Sequence, residues 1–153
     1  MFLAKLSLLR IPHLNNALFD SLSKYCHHLK TLEIGGHPTS YNHFYSLEGI
    51  SQLCQSKFVL ENVRFEYCSK IGDSCIHLIA HKSKEALTEF HIIRNCFEKS
   101  AKISDKSIEH FRYCPNMTRL SIVYTRKFKE MFHVYLARYL HKLVYLNIKE
   151  CTV

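Results

Sequence analysis

Tryptophan is absent from this 153-residue sequence, and glycine (four) and proline (three) are scarce. Long irregular loops and low-complexity linkers therefore have little to be built from. No apolar run approaches the roughly 20 residues that a membrane-spanning helix needs, which excludes a transmembrane reading. The seven cysteines form no CxxC pair and are odd in number, so the disulfide framework of a small secreted domain is not indicated. The stretch MFLAKLSLLR carries Lys5 and Arg10 among its apolar residues, and no small-residue cleavage site follows, so a secretory signal is not expected. We expect reduced, buried thiols in a cytoplasmic or nuclear protein, where the formal glycosylation triplet Asn116-Met117-Thr118 has no role. There is no glycine-rich phosphate loop either. Gly35-Gly36 is an isolated pair that reads as a turn. Acidic residues are scattered without a pair that can be placed on opposed elements, so neither nucleotide binding nor acid/base catalysis is supported, and no cofactor is expected.

What is present is a repeat. The pattern apolar-x-x-apolar-x-apolar begins at Leu3, Leu29, Leu60, Leu87, Met117 and Leu143, in steps of 26, 31, 27, 30 and 26 residues. The second anchors are Leu6, Leu32, Val63, Phe90, Leu120 and Leu146, and the third are Leu8, Ile34, Phe65, Ile92, Ile122 and Ile148. All eighteen positions are apolar in a chain that is 47% apolar, a coincidence of about one in a million before choice of register. Second and third anchors two residues apart point to one face of a short strand, and the residue between them points to the other. The rest of each unit reads as a helix. Ile71-Gly72-Asp73 leads into Ile76, Ile79 and Ala80, and Ile103-Ser104-Asp105 leads into Ile108 and Phe111, with Asp73 and either Ser104 or Asp105 as expected N-caps. Weaker helical patterns follow Leu14, Tyr45 and Phe128. Strand and helix repeated with a parallel return predict an α/β leucine-rich repeat solenoid, a horseshoe segment of about 28 residues per repeat, in one domain over residues 1–153 with five full repeats and a sixth strand.

Cysteines hold fixed places in this frame. Cys68 and Cys151 lie eight residues after a first anchor, Cys96 nine after, and Cys26 and Cys114 three before the next. Together with the phrases LENVRFEYCSKIGDSCIHLIA and ISDKSIEHFRYCPNMTRLSI, this resembles the cysteine-containing leucine-rich repeats of F-box substrate receptors in cullin-based ubiquitin ligases, of the ribonuclease-inhibitor-like type. Ile11, His37 and Thr125 stand where that pattern expects Cys or Asn, whereas Asn95 fits it. The resemblance implies a noncatalytic module that recognises a protein substrate for ubiquitin-dependent breakdown. Adaptor and cullin would be reached through a segment outside these residues, because no adaptor-binding F-box is visible within them.

Other constellations are weighed against plainer readings. Cys75, His77 and His81 share a helix, with the two histidines four residues apart. However, Cys75 points away around the helix and no further ligand stands at metal spacing, so an exposed helical face is expected and no metal. A Cys/His nucleophile lacks its orienting third group. The net charge of +8 sits in one half: residues 1–76 hold 7 basic and 6 acidic side chains, residues 77–153 hold 14 and 7. Much of the surplus falls on helices and loops at Lys82, Lys84, Lys99, Lys102, Arg126, Lys127, Lys129, Arg138 and Lys142. A solvated convex face explains it; the alternative is a stand-alone scaffold whose basic rim draws an acidic protein or nucleic acid, although no nucleic-acid motif accompanies the charge. The strand positions facing away from the core should form a concave surface of mixed sign. Arg64, Glu66, Glu89, His91, Arg119 and Tyr145 are its candidate partner-binding residues, since a few Arg and aromatic anchors carry much of a protein interface. Repeat units bury apolar surface only against neighbours, so both ends of this chain, opening on the Leu3 strand and stopping after the Ile148 strand, read as uncapped. From that we expect a piece of a longer repeat protein, or an end covered by a partner.

Overall fold

The first five apolar-x-apolar pairs become the inner face of a strand, and the sixth places Leu146 in a strand with Ile148 just past its end, in the computed structural model, which describes residues 2–11, 14–37, 47–93, 103–123, 128–149 and 151. Strands and helices alternate: β1 (Lys5–Leu8), α1 (Asn16–Tyr25), β2 (Thr31–Gly35), α2 (Leu47–Cys54), β3 (Asn62–Glu66), α3 (Asp73–Ser83), β4 (Glu89–Ile93), α4 (Asp105–His110), β5 (Arg119–Val123), α5 (Met131–Tyr139) and β6 (Tyr145–Asn147). The six strands form a single parallel sheet whose spatial order is their sequence order. Successive helices pack side by side in the same order, α1 on α2 through α4 on α5. No helix among the described residues is long and apolar enough to cross a membrane.

Register follows the repeat without a slip. Leu6, Leu32, Val63, Phe90, Leu120 and Leu146 stand in one cross-strand row, and Leu8, Ile34, Phe65, Ile92 and Ile122 in the next. A recurring bond locks each step: the carbonyls of Ala4, Lys30, Glu61, Thr88 and Thr118 each accept two consecutive amides from the start of the following strand, at 2.7 to 3.2 Å. The twelve anchors of the four inner units are at most 4% exposed. They share one core with Phe19, Ile50, Ile76, Ile108 and Phe132 of the helices. Each such side chain contributes about 1.5–3 kcal/mol by leaving water. The six anchors of the first and last units are only partly covered, and Leu146 is 42% exposed, because each has a neighbouring unit on one side alone.

Side chains tie consecutive units together. Asn15 caps α1 through the Ala17 amide, and Ser104 caps α4 through the Lys106 amide. Asp73 departs from expectation. Gly72 is the N-cap of α3, and the Asp73 carboxylate instead accepts the Ser104 amide at 2.8 Å, the Ser104 hydroxyl at 2.6 Å and the Ser107 hydroxyl, all from the next unit. Asp105 repeats the device on the Lys129 amide at 2.8 Å. Thiols do similar work: Cys68 donates to the Ile34 and Glu66 carbonyls, Cys114 to Ala80, and Cys151 to Ile122. Cys26, Cys54, Cys68, Cys75, Cys114 and Cys151 are thiols and not half of a disulfide. Cys96, Asn95 and Thr125 lie outside the described residues. Gly35 ends β2 where a Cβ would sit 3.1 Å from both the Glu66 Cβ and a Leu9 methyl, so close packing, not a left-handed φ, accounts for this glycine.

Candidate functional site

With the inner strand positions committed to the core, pleating directs the intervening residues to the sheet's other face. The strand register arranges them in rows. The first runs Lys5, Thr31, Asn62, Glu89, Arg119, Tyr145, and the second Ser7, Glu33, Arg64, His91, Ser121, Asn147. Glu66 and Ile93 begin a shorter third row with Gly35 and Val123. All six candidate residues lie on this face, and β3 to β6 bring them side by side.

The charges on this face neutralise one another. Arg64 Nε donates to Glu66 Oε1 at 2.7 Å, and a second guanidinium nitrogen reaches the same oxygen. Glu66 is 7% exposed, so this pair is anchored in the sheet and is no loose surface contact. Glu89 stands between His91, at 3.6 Å, and Arg119 Nε, at 3.9 Å. The Arg119 guanidinium lies 4.6 Å from the centre of the Tyr145 ring, within cation–π range. Lys5 Nζ lies 3.4 Å from Glu33. Asn62 Nδ2 donates to the Thr31 hydroxyl at 3.3 Å.

Proton affinities follow from these partners. The Ser7 hydroxyl hydrogen bond, helped by Lys5 and Arg64, lowers the Glu33 pKa against the opposing effect of burial. Burial lowers the His91 pKa, with Arg64 and Arg119 adding to it and Glu89 opposing. His91 is thus a neutral imidazole at neutral pH. Thr31, Glu33, Asn62, Arg64, Glu89 and His91 line a shallow hollow of about 100 Å³. Such a surface offers donors, acceptors and an aromatic edge on a stiff backbone. Chemically it can recognise a polar chain.

Two thiols elsewhere are held protonated by burial. Burial pushes Cys114 up to about 12 and Cys54 up to about 11, so neither holds a thiolate at neutral pH. Cys75 is buried and donates toward the Lys70 carbonyl, pointing away from the histidines as the helical spacing predicts. His81 is exposed as expected, whereas His77 departs from the exposed face expected of it. His77 is half-buried, its ring centre 5.9 Å from His81 and 4.6 Å from His110, and His81 packs edge-on to Tyr113 at 5.2 Å. Helix packing between α3 and α4 created this cluster, and sequence spacing on α3 alone could not disclose His110. Among the described residues no group of three His, Cys, Asp or Glu is placed to hold a metal.

On the helix side, Lys82 donates to the Ser56 carbonyl and Lys142 to the Asn116 side chain, each at 2.6 Å. Arg138 lies over Tyr139. Lys99, Lys102, Arg126 and Lys127 lie outside the described residues. No protein-family model matches the chain, and no curated protein matches it significantly.

Proposed function

We propose that the chain is a leucine-rich repeat solenoid and acts as a noncatalytic protein-recognition module, with the open face of its sheet as the binding surface. Helices are wider than strands, so a sequential parallel sheet backed by helices curves toward its open face. The concave side then wraps a partner segment. The observation that carries this reading is the continuous field of polar and aromatic side chains on β3 to β6, with its charges already paired. A self-neutralised face selects by shape and hydrogen bonding, and its affinity should depend little on salt.

The resemblance to F-box substrate receptors extends this to a cytoplasmic or nuclear component of a ubiquitin ligase, with substrate on the concave face and adaptor and cullin elsewhere. Arg119 and Tyr145 are the anchors to test. Reversing Arg64 would set a second carboxylate against the nearly buried Glu66 and confound binding with folding. Quantitative affinity purification comparing the natural protein with Arg119→Ala and Tyr145→Ala should show loss of a specific partner, about tenfold if an anchor contributes 1.4 kcal/mol. Co-purifying adaptor and cullin would support the ligase assignment. An unchanged partner set would remove the concave face from the proposal.

A further inference from the structure

Three consecutive helices line a cavity on the side of the sheet away from the candidate face. Leu47 opens α2, Asp73, Ser74, His77 and Leu78 lie along the first half of α3, and Lys106 and His110 belong to α4. Together they enclose a space of about 540 Å³, within the range of small-ligand sites. Lys106 and His110 stand four residues apart and so share one face of α4, as Ser74 and Leu78 share one face of α3. A smaller hollow of about 260 Å³ shares Leu47, Asp73 and Ser74 and continues to Lys70.

The lining divides into an apolar side and a side of unspent polar groups. Leu47 is 45% exposed, and Leu78 is half-buried. Among the described residues, His77 Nδ1 is buried without a hydrogen-bond partner, a rare condition for a buried polar atom, and its ring packs against His110 at 4.6 Å. The Lys106 ammonium forms no ion pair among the described residues. Asp73 is the acid of the lining, and its carboxylate is already held by the Ser104 amide, the Ser104 hydroxyl and the Ser107 hydroxyl. Those three donors offset its charge, which leaves a cation and imidazole nitrogens beside two exposed or half-exposed leucines. We propose that this cavity binds a small organic anion, with an apolar body against Leu47 and Leu78 and a charged head between the Lys106 ammonium and the His110 imidazole. The site is separate from the concave surface and does not depend on that reading.

Binding should be coupled to proton uptake. His110 is faced by His77 and Asp73 of α3, by Glu109 on its own helix and by Arg112 just beyond it; burial, with His77 and Arg112, lowers its pKa against the two acids. An anion placed beside it favours the imidazolium, so affinity should rise as pH falls from 8 to 6.

The probe is naphthalene-2-sulfonate, whose charge does not change over that interval, with 2-naphthalenemethanol and 2-naphthylmethylamine as neutral and cationic controls. Isothermal titration calorimetry with the whole chain should show saturable binding of the sulfonate alone. Lys106→Ala and Leu47→Ser, both at exposed positions, should each weaken it at least about fivefold. His110→Gln should flatten the pH dependence. Arg119→Ala, on the concave face, should leave sulfonate binding unchanged, so that failure of the concave reading and failure of this one are separate results. No saturable binding, equal binding of either control, or indifference to both Lys106→Ala and Leu47→Ser would overturn the proposal. Loss of binding in Arg119→Ala, or a pH dependence that survives His110→Gln, would also overturn it, by placing the anion elsewhere.

Discussion

Removing the Asp73 carboxylate should show how strongly adjacent units depend on side-chain bonds. Asp73→Ala deletes three accepted hydrogen bonds, from the Ser104 amide, the Ser104 hydroxyl and the Ser107 hydroxyl. Hydrogen bonds to a charged group contribute about 1.5–3 kcal/mol when well buried and nearer 1 when solvent can replace them. Asp73 is half-buried, so the lower figure applies to each, and the expected loss is about 3 kcal/mol. Ser107 lies at 0% exposure, and its hydroxyl would lose its partner in a site that excludes water. For a chain of this size, that loss lowers Tm by about 6–12 °C. Asp73→Asn keeps one accepting oxygen and should fall between. Asp105→Ala, which gives up one bond to the exposed Lys129 amide, should cost at most about 1 kcal/mol. Urea denaturation of the three variants, followed by circular dichroism, measures the order. If Asp73→Ala costs no more than Asp105→Ala, the carboxylate is not a joint between α3 and α4 and the reasoning fails.

Further outcomes follow from packing and proton affinity. Gly49→Ala should destabilise by about 1–3 kcal/mol despite alanine's better helix propensity, because its Cβ would meet the Phe19 ring at 2.7 Å and the Asn16 side-chain oxygen; a higher Tm would contradict that contact. Burial, aided by His77 and Arg112, lowers the His110 pKa against Asp73 and Glu109, and burial likewise lowers that of His91. The unfolded chain therefore takes up these protons first. Stability should be full above about pH 6.5, fall as pH drops through the depressed folded values, and level off below them. Urea midpoints from pH 8 to 5 test this, and His110→Gln should flatten the slope; a midpoint that rises on acidification would refute the sign. Cys114 and Cys54, held as thiols up to about 12 and 11, should resist iodoacetamide at pH 8 and react on addition of denaturant, as peptide mapping would show. Prompt labelling of the native protein at Cys114 would contradict its burial.

Much of the architecture was legible before any coordinates. The spacing of Leu32 and Ile34, Val63 and Phe65, and Phe90 and Ile92 specifies a strand face through period-two alternation, and the constant offset between units specifies parallel register. Both are local properties of the chain, so the six strands, their order and the twelve buried inner anchors could be read directly. Ser104 was readable as a cap for the same reason. The outward placement of Arg64, Glu66, Glu89, His91, Arg119 and Tyr145 followed from the alternation as well.

Tertiary structure decided which of those side chains meet. Arg64 turns along its own strand to Glu66, Glu89 is shared between His91 and Arg119, and Arg119 crosses to Tyr145; rotamer and burial make these choices, and neither is encoded in spacing. It also turned Asp73 from a cap of its own helix into a partner of Ser104 and Ser107, and drew His77 under His110. A repeating pattern determines where side chains point, because it needs only the local period. For Asp73, Arg119 and His77 the partner lies about thirty residues away and comes within reach only when the units stack.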